Sequence, residues 1–336
     1  MASVPNVYSA EPALPVLAHS LLTEKNGAAA ETSQPSDEPT NWSLKADWER
    51  GIRSSNDSIF RCGAVVGFSR LRSSKDSNEY IGQIPRYLLT THLRKVLPSS
   101  EPTAFIVHPG SFDAFAPRTL LNELLSSSPN QPGLSKEDAI HRLDSVQLLP
   151  VYNFPGAAQA IGKVSDVLQE IQERRESNQL SGDSAHPIIL IVLGLDSLAE
   201  GVIRASNPVK GTALLTATLR TLTRVSRAHA SCLSVLLVNT NGIGPFHSEA
   251  DGKAESTRSL PIPYGDAPKP TREDGIRSIF HTAGPSLLSN LLMKTLDQGI
   301  DTHLLLSDVK GSPVVEVIKD RVGTGLGKWE IWGRQH

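Results

Sequence analysis

The chain has 336 residues, of which 39% are hydrophobic and 20% charged, with a formal net charge of −2. That length suits one large α/β domain or two small ones, and the near-neutral balance excludes a whole-chain basic field, so any contact with nucleic acid has to come from a local patch. Cys62 and Cys232 are the only cysteines, which excludes a disulfide framework or a cysteine zinc site and predicts a reducing intracellular setting; no apolar run approaches the length of a membrane span.

Residues 1–50 read as a disordered tail rich in Ala, Ser, Pro and Glu, with nothing to bury over 26–40. Residues 14–22 suit a helical turn or a docking peptide. The folded domain is expected over 51–336. Its first strand is predicted at 59–66 (IFRCGAVV), followed by Gly67. A phosphate-binding loop would read G-x-x-x-x-G-K-[ST] from that glycine. The chain reads GFSRLRSS: Arg72 replaces the second Gly, Ser73 replaces the Lys, and Ser74 alone keeps its type. A helix follows, with Leu88, Leu89, Leu93, Val96 and Leu97 on one side and Pro85 in its first turn.

Residues 103–107 (TAFIV) predict a buried strand, and a helix is expected around Leu120, Leu121, Leu124 and Leu125. A short strand is expected at 143–149. Residues 162–176 form an amphipathic pattern with Val164, Val167, Leu168 and Ile171 as its stripe. The unbroken run 188–193 (IILIVL) suits a strand buried on both faces of a parallel sheet. Asp196 and Ser197 follow it. An acid there sits where open α/β sheets bind ligands; it equally suits a helix cap.

Residues 201–211 read as a loop carrying Arg204 and Lys210. A helix at 212–228 buries Leu215, Leu219, Leu222 and Val225 and presents Arg220, Arg224 and Arg227 on a second face. No Asp or Glu occurs from 201 to 248. This basic stretch is either a solvated face or a surface for nucleic acid or an acidic partner. A strand at 233–238 (LSVLLV) comes next. The polar, Pro- and Gly-rich stretch 244–277 has the length of a functional or mobile loop. A helix with Pro285 near its start, carrying Leu288, Leu291, Leu292 and Leu296, ends at Gly299. Strands at 302–306, 314–318 and 329–332 with short polar links suggest an antiparallel meander. Strands and helices alternate before that point, which predicts a mostly parallel, doubly wound α/β sheet flanked by helices.

In order and spacing these landmarks resemble the ATPase core of the RecA-like recombinases, in the Rad/RadA branch of eukaryotes and archaea. Residues 106–112 (IVHPGSF) are similar to the family's I-D-T-E-G-T-F, and 115–120 (FAPRTL) to its F-R-P-E-R-L, with a three-residue insertion between the two. Asp196-Ser197 matches the Asp-Ser of L-L-I-V-D-S. Residues 219–227 resemble L-R-x-L-x-R-L, and 236–242 (LLVNTNG) resemble V-V-I-T-N-Q. The likeness runs from about 51 to 332.

The resemblance implies a RecA-like P-loop NTPase fold, with ATP and magnesium near Gly67, Ser74 and Asp196. It implies DNA contacts from Arg204, Lys210, Arg220, Arg224 and Arg227, and the long stretch 244–277 falls where the family has a DNA-binding loop. The departures are at the chemistry: Ser73 stands for the P-loop Lys, Pro109 for the water-activating Glu, and Gly242 for the Gln. Phosphoryl transfer depends on positioning and charge, so no catalytic residue is assigned and hydrolysis is expected to be lost. The implied role is a non-catalytic or weakly ATP-binding subunit in DNA recombination and repair, nuclear, assembled with other RecA-like subunits. The alternatives are a structural subunit of an Elongator-type complex that modifies transfer RNA, and an active ATPase using Lys75 or Arg72. A serine or cysteine hydrolase is disfavoured, since no G-x-S-x-G elbow occurs.

Overall fold

Parallel strands buried on both faces read as continuous apolar runs, and two such runs make the centre of this molecule. The structure is a computed structural model that describes residues 43–53, 58–71, 78–96, 101–110, 112–126, 133–177, 186–244, 276–280, 287–288 and 291–333. The expected tail through residue 42, Ser74, and nearly all of the expected loop 244–277 lie outside the described residues.

Among these residues the helices are α1 (Leu44–Arg50), α2 (Asn78–Lys95), α3 (Pro117–Leu125), α4 (Lys136–Leu143), α5 (Phe154–Ser177), α6 (Leu195–Ala205), α7 (Pro208–Ala228) and α8 (Leu291–Gln298). The strands are β1 (Val65–Arg70), β2 (Ala104–Pro109), β3 (Val146–Val151), β4 (Ile188–Leu193), β5 (Leu233–Val238), β6 (Thr302–Val309), β7 (Ser312–Asp320) and β8 (Trp329–Ile331). They form one sheet in the order β3-β2-β4-β5-β1-β6-β7-β8. Pairing is parallel from β3 through β6 and antiparallel from β6 to β8. Every residue of β4 and β5 is buried. Val65, Val107, Leu190, Val192, Val235 and Leu237 share one core with Val164 and Leu168 of α5, Leu195 and Ala199 of α6, Leu215, Leu219 and Leu222 of α7, and Leu296 of α8.

The α/β class, the mostly parallel sheet and the antiparallel C-terminal strands agree with expectation. Several boundaries do not. The first strand is Val65–Arg70, so Gly67 lies inside it rather than after it. A Cβ on Gly67 would come within 2.5 Å of Ile300 Cδ1, so this glycine permits close packing. The expected loop 201–211 is the end of α6 and the start of α7. Its glycines suggested a break; instead a Cβ on Gly211 would meet Ile203 Cγ1 at 2.3 Å, so Gly211 lets the two helices approach. Asn207 caps α7, accepting from Lys210 N at 2.8 Å, and Pro208 takes the first helical position. The short helix α4, with Ala139 as its buried residue and Ser135 as N-cap, was not expected. The strand expected at 143–149 is Val146–Val151.

The folded body also begins earlier than residue 51. Helix α1 packs its Trp48 edge-on against Trp332 at 4.6 Å, and Trp332 meets Tyr87 of α2 at 5.8 Å. Ser43 Oγ donates to Glu330 Oε2 at 3.0 Å. Cations from α2 and α4 cap helix C-termini, where carbonyls are left over. Lys95 Nζ donates to Glu49 O and Arg50 O at the end of α1. Arg94 donates to Glu123 O and Ser126 O around the end of α3, and Arg142 donates to Leu93 O and Val96 O at the end of α2.

Trp48 is 3% exposed, so Trp48→Ala is expected to lower unfolding stability by about 3–5 kcal/mol in urea titrations; a loss under about 1 kcal/mol would mean α1 is not part of the fold. A second test concerns His92 of α2. Burial pushes its imidazole from 6.5 down to about 4, partly offset by a hydrogen bond with the Pro187 backbone. The folded pKa lies below the unfolded one, so the unfolded chain takes up this proton first as the pH falls. Stability is therefore lost from pH 6.5 down to about 4. His92→Gln should remove that part of the acid slope, at most about 1.4 kcal/mol per pH unit, in urea unfolding across the same window.

Candidate functional site

The carboxyl edge of a parallel sheet is where open α/β folds bind ligands, and Asp196 sits there, in the first turn of α6. Gly194 makes the turn from β4 with φ 68°, and a Cβ on it would meet Pro109 Cγ at 2.9 Å. Pro109, which stands for the family's Glu, thus packs against the β4–α6 turn from the end of β2. Asp196 is fully buried. Its Oδ2 accepts from Asn241 N at 2.6 Å and its Oδ1 from Thr240 Oγ1 at 3.2 Å. Ser197 Oγ donates to Asn241 Oδ1 at 2.9 Å and is hydrogen-bonded to Thr240 Oγ1. Asn241 Nδ2 donates to Glu200 Oε2 at 2.8 Å, and Glu200 Oε1 pairs with Arg204 at 2.5 Å. Burial raises the Asp196 pKa, opposed by the hydrogen bonds from Asn241, Thr240 and Ser197.

Asp196 therefore fastens the segment after β5 to the start of α6. Both oxygens of Asp196 accept protein hydrogen bonds, and the side chain is fully buried rather than open to solvent. Gly67 lies mid-strand against Ile300 instead of opening a phosphate loop. Of the residues expected near ATP and magnesium, Gly67 and Asp196 are thus both buried within the fold. Ser74, the third expected contact, is outside the described residues.

A second polar cluster lies in the core, and nothing in the sequence marked it. Ser69 Oγ is 2.8 Å from His303 Nε2, and His303 Nδ1 is 3.1 Å from Asp297 Oδ1. Lys319 Nζ pairs with Asp297 Oδ2 at 2.6 Å, and Asn239 Nδ2 donates to Ser69 Oγ at 2.8 Å. The connectivity is that of a Ser-His-Asp triad. A nucleophile has to reach substrate, however, and Ser69 is fully buried with His303 at 1% exposure. The cluster is a structural network that ties β1, β5, β6, β7 and α8 together. Burial alone would raise the Asp297 pKa, but hydrogen bonds and charge from His303 and Lys319 outweigh it and hold the carboxyl below its ordinary value.

The basic residues separate into two groups. Arg204 is exposed on α6 and paired with Glu200, and Lys210 is exposed in the first turn of α7. About 15 Å further along α7, Arg220, Arg224 and Arg227 line an open cleft of ≈ 430 Å³ against α8, with Thr216, Leu219, Thr223, Thr295, Gln298 and Gly299. Arg227 Nη2 pairs with Asp301 Oδ1 at 2.8 Å, and Arg227 Nη1 donates to Gly63 O. Among the described residues no group of three or more His, Cys, Asp or Glu is placed to hold a metal ion, and no helix is long and apolar enough to cross a membrane.

No family model matches the chain, and no curated protein matches it. The chain is α/β with a mostly parallel sheet, a buried Asp196 at the sheet's carboxyl edge and a basic cleft on one helical layer.

The Asp297 network predicts a pH effect. Its folded pKa is depressed, so its contribution is present above the unfolded carboxylate value and is lost as the pH falls through the folded value. Asp297→Asn should cost about 3 kcal/mol at neutral pH, and its stability should decline less than that of the natural chain on acidification below the ordinary carboxylate range. Urea unfolding at neutral and acid pH reads both effects.

Proposed function

We propose that this chain is a non-catalytic subunit built on a RecA-like core, acting with other RecA-like subunits in nuclear DNA recombination and repair. The single observation that carries the non-catalytic part is the burial of Asp196, with both of its oxygens committed to Thr240 and Asn241. An acid fully buried between these two segments suits an architectural role rather than the organising of a nucleotide. The motif order from residue 106 to 242 supports the RecA-like part, as does a parallel core in which β5 separates β1 from β4. Ser73 and Pro109, which stand where a working ATPase has Lys and Glu, agree with the loss of hydrolysis. Placing such a chain in an assembly is an argument from fold.

Two measurements test this. Phosphate release from ATP should not exceed buffer, and Asp196→Asn should change only the melting temperature, lowering it by weakening the anchor to Asn241 N and Thr240. ATP hydrolysis that disappears in Asp196→Asn would overturn the non-catalytic reading. Affinity capture of the tagged chain from its own cells, followed by mass spectrometry, should recover RecA-like repair subunits. Recovery of transfer-RNA-modifying subunits instead would move the function to the Elongator-type alternative.

A further inference from the structure

We propose that the cleft between α7 and α8 binds the phosphodiester backbone of a single-stranded nucleic acid through Arg220 and Arg224. The proposal narrows the DNA contact expected of a recombination subunit to one cleft and two side chains, and rests on that reading for its biological setting.

Residues 220, 224 and 227 of a helix fall on one side, and Arg220 and Arg224 are about 6 Å apart along its axis. Both are exposed. Among the described residues neither has a hydrogen-bond or ion-pair partner, in contrast to Arg204 and Arg227, each held by a carboxylate. The acids nearest the cleft are already used: Asp301 is paired with Arg227, and Asp297 with Lys319 and His303. Among the described residues no carboxylate pairs with either guanidinium group.

The floor decides the kind of anion. It is made by Leu219 and by Gly299, where an added Cβ would touch Leu219 Cδ2 at 2.9 Å. The hydroxyls of Thr216 and Thr223 donate back to Thr212 O and Leu219 O, and that of Thr295 to Leu291 O. Their hydrogen-bond donors are spent within their own helices, and what they add to the cleft is methyl surface. Anion recognition is left to the guanidinium forks, with the Gln298 side chain beside them. Arginine forks match phosphate oxygens in pairs. An amphipathic helix would need a row of apolar pockets, and one leucine with three threonine methyls does not supply it. An open cleft with two unpaired guanidinium groups along one wall suits a linear polyanion whose phosphates meet arginine, in the way that basic grooves track a single-stranded backbone. The cleft is also distinct from the Asp196 edge: Arg227 bonds to Gly63, just before β1, whereas Asp196 lies beyond the carboxyl end of β4.

The test uses the full chain and a fluorescein-labelled oligothymidylate of about 16 nucleotides, with binding followed by anisotropy over a range of salt. The double variant Arg220→Gln/Arg224→Gln is expected to bind about tenfold or more weakly at low salt, and to reduce the slope of log K against log salt by about 1.4, that is, about 0.7 for each lost phosphate contact. The pair Lys163→Gln/Arg174→Gln, at exposed positions of α5, should leave affinity and slope unchanged. Both changes are at exposed positions, and an unaltered melting temperature confirms that the double variant is folded. An affinity and slope equal to those of the natural chain would overturn the proposal, as would absence of binding by the natural chain. If the double variant keeps oligonucleotide binding but loses captured protein subunits, the cleft is a protein contact and the proposal is likewise overturned. Failure here with repair subunits still captured leaves the assembly reading standing.

Discussion

A carboxylate removed from water has to be repaid by hydrogen bonds, because its desolvation costs several kcal/mol. Asp196 meets that demand with a backbone N–H from Asn241 and the hydroxyl of Thr240, bonds strengthened by its charge. Because Asn241 follows β5 and Asp196 follows β4, this one side chain sets the spacing of the two central strands at their carboxyl ends. The turns on either side depend on it. Gly194 takes a left-handed φ to deliver the acid, and Pro109 fills the space beside that glycine.

The same device recurs around the molecule. At the amino edge, Asp301 Oδ2 accepts from Val65 N at 2.9 Å while its other oxygen holds Arg227, fixing β6 to β1 and α7 to both. Glu316, 1% exposed on β7, accepts from Ile279 N and Ser278 Oγ. Asp320 accepts from Gly323 N and Gly325 N, shaping the turn before β8. Glu330 accepts from Lys45 N, joining α1 to the last strand. Each pairing satisfies a backbone donor that sheet or helix geometry leaves over. These acids are committed to architecture.

Legibility in the sequence followed locality. β4 and β5 were readable to the residue because six apolar positions in a row have few other solutions. β1 was displaced because Gly67 resembles punctuation, and only the position of Ile300, far along the chain, shows that it serves packing. Gly201 and Gly211 misled for the same reason: the tight crossing of α6 over α7 that uses Gly211 is a tertiary fact. Helix α1 was hidden in tail-like composition, since the reason it folds is Trp332 at the other end of the chain. Asp196 was found by its place after a buried strand, but its two possible roles differ only in what its oxygens touch. The Ser69–His303–Asp297 network had no signal at all, since no spacing rule connects residues brought together from β1, β6 and α8.

What a surface can do depends on which charges its own fold has left unspent. Around Asp196 the hydrogen-bonding capacity of Ser197, Thr240 and Asn241 is turned inward. On α7 the contrast is internal to one helix: Arg227 is drawn into the amino edge by Asp301 and Gly63, while Arg220 and Arg224, two turns and one turn earlier, line the cleft and pair with no carboxylate among the described residues. Holding like charges beside one another in a slightly acidic protein is unfavourable unless a counter-charge arrives from outside. The absence of any acid from 201 to 248 keeps that counter-charge from being supplied by the same stretch of chain. At the carboxyl edge Asp196 is given to holding Asn241 and Thr240, whereas the arginines left unpaired among the described residues lie on a helical face away from that anchor.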